Sequence, residues 1–143
     1  MRSPFMFSAA FLALATSYSA WFNWEVRTDP AAVESRFTEL IAQGSGGRAA
    51  PYGERLLVMR KADGADEESL APLKAEVARS QLKARNYSRG AALTAEALAS
   101  EWSKSLTRRE KVDMENGLAH SHVMAGELDK AVAIADRSGN PRM

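Results

Sequence analysis

The chain has 143 residues, 19 basic and 18 acidic, no cysteine and a net charge of +1. Arg2 accounts for the basic excess, so the remainder is neutral and lacks the clustered positive surface of a nucleic-acid binder. Without cysteine there is no disulfide and no thiolate metal site, and abundant alanine with little Val, Ile and Thr favours an all-α chain over strands.

The first 24 residues, MRSPFMFSAAFLALATSYSAWFNW, carry one charge, Arg2, and an apolar run from Phe5 to Ala15. This is the pattern of a signal peptide or a membrane anchor. Cleavage sites are offered after Ala15, Ser17 and Ser19. Pro4 to Trp24 also has roughly the 20 residues that a spanning helix requires. Trp21, Phe22 and Trp24 then form an interfacial belt. A buried amphipathic helix is the third reading. The first two place the N-terminus inside and the bulk of the chain across or on the far side of a membrane.

Asp29-Pro30 predicts a helix start, with Asp29 as cap and Pro30 in the first turn. Val33, Phe37, Leu40 and Ile41 follow at helical spacing, and Gly44 can close the helix in a left-handed conformation. Residues 25–53 read as this membrane-proximal helix plus a linker, GSGGRAAPYG, Gly44 to Gly53. The main body is expected over 54–143. Leu56-Leu57-Val58-Met59 reads as helix, and Asp63 to Glu68 as a turn into an acidic helix start. Leu70, Leu73 and Val77 share a face, with Pro72 in the first turn of their helix. The next helix is expected from Ser88 to Ser103. Thr107 and Glu110 form a capping box for a helix reaching Ala125, where Gly126 ends it. The last helix is expected from Asp129 to Arg137.

Val77 to Leu98 and Leu118 to Asp136 share one design. Each has a helix ending in alanine, a tight turn, Tyr87 or Leu128, and an alanine-rich second helix. Gly90 and Ala131 then match, as do Ala78 and Ala119, and small residues there let antiparallel helices approach closely. On Ala125-Gly126-Glu127-Leu128-Asp129-Lys130-Ala131 and Asn86-Tyr87-Ser88-Arg89-Gly90, the chain resembles the tetratricopeptide-repeat family over roughly Ser69 to Asn140. The 41-residue spacing exceeds that family's usual period of about 34 by seven, close to two helical turns. The resemblance implies helical hairpins that bind a protein or peptide. Two units are visible, and about three are usually needed for stability. Capping by the Leu56 and Leu70 helices, self-association, or continuation beyond Met143 are the three ways to supply the rest.

No residue set amounts to a catalytic, cofactor or metal site. His120 and His122 point about 200° apart on a helix and cannot share one metal. Asp113 and Glu115 read as surface charges, and Trp102 as packing. Gly44-Ser45-Gly46-Gly47 is not followed by the Lys-Ser/Thr of a phosphate loop. Gln81, Arg85 and His122 are the expected partner contacts, with Arg85 suited to a carboxylate. The functional expectation is a tethered or exported interaction module without a cofactor. An N-terminal part of a larger exported, hydrolase-like enzyme and an accessory subunit of a membrane complex are the rival classes.

Overall fold

A computed structural model describes residues 29–138. The expected signal or anchor lies outside the described residues. Among those residues no helix is long and apolar enough to cross a membrane.

The described chain is six α-helices with no strand among the described residues: α1 Pro30–Ala42, α2 Gly46–Ala62, α3 Glu67–Lys83, α4 Tyr87–Ala99, α5 Arg108–Met124 and α6 Leu128–Ser138. A 3₁₀ turn, Glu101–Ser105, joins α4 to α5. The predicted local signals act where expected. The Asp29 carboxylate accepts the Ala31 N–H at 3.0 Å. Thr107 and Glu110 cap each other's free N–H groups, at 3.2 and 2.8 Å.

The glycine-rich segment is not a linker. α2 runs unbroken from Gly46 through the expected boundary at residue 53. Its glycines permit close approach here. An added Cβ at Gly53 would lie 2.6 Å from Val77 Cγ2 and 2.8 Å from Phe37 Cε2. One at Gly47 would lie 3.1 Å from the Lys83 carbonyl oxygen. Composition signals backbone freedom, and tertiary packing spends that freedom on contact rather than on disorder.

The consequence is a third hairpin. First helices end at residues 42, 83 and 124, and second helices begin at 46, 87 and 128, each 41 residues apart. The closing bond is the same in all three. The N–H of Ser45, Asn86 and Glu127 donates to the carbonyl of Leu40, Gln81 and His122 at 2.8, 2.9 and 2.8 Å. The left-handed residues are Gly44, Arg85 and Gly126, with φ of 73°, 63° and 79°. This is a Schellman closure three times over. The described residues form a helical repeat of three stacked hairpins, α1–α2, α3–α4 and α5–α6, in which each second helix also packs on the next first helix.

The main core lies between the first two units: Val33, Phe37 and Leu40 of α1, Leu56 and Leu57 of α2, Leu70, Leu73 and Val77 of α3, and Leu93 of α4. Ala91, Leu118, Ala119 and Ile134 form a second cluster toward the third unit. Two details differ from expectation. Pro72 sits in the second turn of α3, because that helix begins at Glu67. The helix expected to reach Ser103 stops at Ala99, since Ser100 is extended at ψ 160°. The Glu68 carboxylate then accepts the N–H groups of Glu101 and Trp102. That cap comes from 33 residues upstream, so no local pattern announces it. Trp102 is half-buried near Ala75, Ala97 and Met114.

Candidate functional site

The three residues expected to meet a partner all lie at hairpin turns. Gln81 is buried, donates to Glu54 Oε1 at 2.8 Å and accepts from Asn86 Nδ2 at 2.7 Å. His122, 41 residues on, places Nδ1 2.6 Å from Glu127 Oε2. Both therefore tie residue i to residue i+5 across the turn, on top of the backbone closure. Arg85 is exposed in the left-handed position that the other two turns give to glycine. The structure brings Gln81 and Arg85 to one turn and His122 to another. Ala78 and Leu118, on the same helices as Gln81 and His122, are buried in the core. His120 is exposed and meets Tyr87 edge-on, with centroids 6.3 Å apart.

Two surfaces gather chemistry. The first is a hollow of about 260 Å³ between α2, α3 and α4, bordered by Glu54, Glu67, Glu96, Lys61, Lys74 and Arg89. Its charges are matched. Arg89 grips Glu54 through Nε and Nη2 at 2.7 and 2.9 Å. Lys74, with its side chain 11% exposed, bonds Glu67 and lies 2.7 Å from Glu96. Lys61 lies 2.9 Å from Glu67. The Arg89 guanidinium holds the Glu54 carboxyl below its ordinary value. Hydrogen bonds from Lys74 and then Lys61 lower that of Glu67 to about 2. These pairs join α2 to α3, α3 to α4 and α2 to α4.

The sign of the pH effect follows. A carboxyl depressed in the folded state stabilises the fold above its ordinary value of 4.5, and that stabilisation fades as pH falls toward 2. The melting temperature is expected to drop across that window, measured by circular dichroism. Glu67→Gln is expected to flatten the drop. An unchanged pH profile in this variant would show that the pairing does not persist in solution.

The second surface is the face of the first helices. A hollow of about 450 Å³ between α1 and α3 is lined by Ile41, Glu76, Arg79, Ser80, Leu82 and Lys83. A second, of about 320 Å³, reaches from Glu34 and Arg60 to Arg79 and Trp102. A smaller one continues across Arg79 to Asp113, Met114 and Gly117 of α5. Arg79 borders all three. It is exposed and makes no ion pair within bonding distance among the described residues. Ile41 is exposed at the edge of the hollow between α1 and α3. Ile41 belongs to the apolar stripe expected with Val33, Phe37 and Leu40, and no sequence pattern singles out Arg79. Extending the 41-residue register one unit toward the N-terminus aligns Thr38, Arg79 and His120 on successive first helices and marks this face.

Among the described residues no group of three or more His, Asp or Glu side chains is placed to hold a metal ion. Comparison with protein-family models, with curated proteins and with solved structures finds no match to this chain.

Proposed function

We propose that this chain is a tethered or exported helical-hairpin module that docks a protein or peptide segment along α1, α3 and α5. The observation that supports this reading is the run of three adjoining hollows that share Arg79. Apolar walls from Ile41 and Leu82 suit a side chain of the segment, and Arg79 suits its carboxylates or carbonyl oxygens. The resemblance to tetratricopeptide hairpins points the same way, by analogy of architecture and not of ligand. The apolar leader supports work at a membrane surface or in an exported compartment.

The test is site-specific photocrosslinking in the full chain, with the reactive group in place of exposed Glu76, which lines two of the hollows, or, as control, of exposed Ala92 on α4. A polypeptide captured from the membrane or exported fraction at residue 76 and not at residue 92 is the expected result. Ile41→Asp is expected to reduce that capture several-fold, since a charge would be buried against the docked segment. Equal capture at both positions, or recovery of the chain in the cytosol with Met1 intact, would contradict the reading.

A further inference from the structure

The two ends of the hairpin stack differ, and the difference follows from the 41-residue register. At the first end the equivalents of buried core residues are polar. Val77 and Leu118 are buried, and the matching residue of α1 is Arg36, paired with Glu39 at 2.7 Å. Ser80 and Ser121 are fully buried, and the matching residue is Glu39 itself, which is exposed. This end is sealed by charge, as a capping unit requires.

Among the described residues the last end is not sealed. Ala50 on α2 and Ala91 on α4 are 2% and 3% exposed. Their equivalent on α6 is Val132, larger, apolar and 57% exposed. The opening residue of each second helix repeats the contrast. An added Cβ at Gly46 would meet Lys83 of α3, and Tyr87 meets His120 of α5. Leu128, in the same place, is 60% exposed. A first helix covers this face in units one and two, and no described element covers it in unit three.

We propose that the outward face of α6 is a docking site for one amphipathic helix of another polypeptide, with an apolar stripe flanked by lysine or arginine. Charge selects that chemistry. Leu128, Asp129, Val132 and Asp136 fall within about 100° of the helix circumference. Both aspartates are exposed, and neither makes an ion pair among the described residues. On the α4 seat, Lys111 and Glu115 of α5 border the same hollow as Ala95, so charged positions of a partner helix fall there. Asp136 is the equivalent of Ala95, so a basic residue in Lys111's place meets a carboxylate. A second copy fits less well in either orientation. Its first helix presents Arg36 and Glu39 to this apolar stripe, and an antiparallel α6 pair brings Asp129 toward Asp136 of the other copy.

The experiment uses the full chain and two synthetic helices as long as α5, 17 residues. Both carry leucines at helical spacing. One is flanked by lysines and the other by glutamates. Hydrogen exchange locates binding and titration measures it. The lysine-flanked helix is expected to bind and to slow amide exchange in α6. Val132→Lys, an exposed change that leaves the melting temperature in place, is expected to weaken binding about tenfold or more. Asp129→Lys with Asp136→Lys is expected to reverse the preference toward the glutamate-flanked helix. Equal binding of the two helices, protection away from α6, or affinity indifferent to Val132→Lys would overturn the proposal. So would concentration-dependent self-association abolished by Val132→Lys, which would make the occupant a second copy.

Discussion

Gly53→Leu is expected to unfold the first two hairpins. Gly53 lies in the middle of α2, where glycine ordinarily costs roughly 0.5–1 kcal/mol relative to alanine. Even Gly53→Ala should nevertheless destabilise. The new Cβ would stand 2.6 Å from Val77 and 2.8 Å from Phe37, and both neighbours are buried in the main core with no room to withdraw. Leucine adds three more carbons to the same collision, so its cost is expected at or above the roughly 1–3 kcal/mol of ordinary overpacking. Each kcal/mol lowers the melting temperature of a domain near this size by about 4–8 °C. Gly117→Ala is the matched control, because a Cβ there meets nothing within 4 Å, and it should raise the melting temperature slightly. A Gly53→Ala variant that melts as high as Gly117→Ala would mean that α2 is not seated between α1 and α3.

Ala131→Trp is expected to melt the last hairpin and spare the first. Ala131 is buried where α6 crosses α5, at the place that Ala49 and Gly90 hold in the other units. Gly90 shows how tight that place is, since a Cβ there would lie 3.0 Å from Leu82 Cδ2. An indole has no room in it and must push α6 away from α5. In a repeat array each unit touches only its neighbours, so the damage stays local. Hydrogen exchange is expected to show lost protection in α5 and α6, with the amides of α1 to α3 still slow. Unchanged exchange in α6 would contradict the close hairpin contact. Uniform loss along the chain would contradict a modular stack.

Much of this architecture was legible because its signals are local. Asp29-Pro30, the Thr107–Glu110 capping box and the helix stops at Gly44 and Gly126 each involve groups within a few residues, and each predicted end falls within a residue or two of its mark. The pairing of Gly90 with Ala131 was also readable, because close helix contact restricts residue size at fixed spacing. Gly44 to Gly53 reads as a linker for a physical reason: glycine permits both loop freedom and helix crowding, and Phe37, Val77 and Lys83, distant along the chain, decide between them. With that segment taken as a linker, the first unit lost its second helix and the threefold register was hidden. The candidate face was harder still. Gln81, Arg85 and His122 are the polar residues of the expected contact surface, yet Gln81 and His122 each brace their own hairpin turn. Arg79 has no distinguishing local pattern, and its position appears only when three hairpins are stacked.

The candidate face exists only if those three hairpins stand in one register with their first helices along a common side. The absence of cysteine makes this measurable, since labels can be placed in pairs without removing any native thiol. Thr38, Arg79 and His120 are exposed and 41 residues apart. With spin labels on Cys introduced at these positions of the full chain, pulsed electron spin resonance should give one narrow distance for 38–79 and one for 79–120. The 38–120 distance should be longer than either. A broad distribution for either neighbouring pair, or a 38–120 distance shorter than both, would contradict the stacked register.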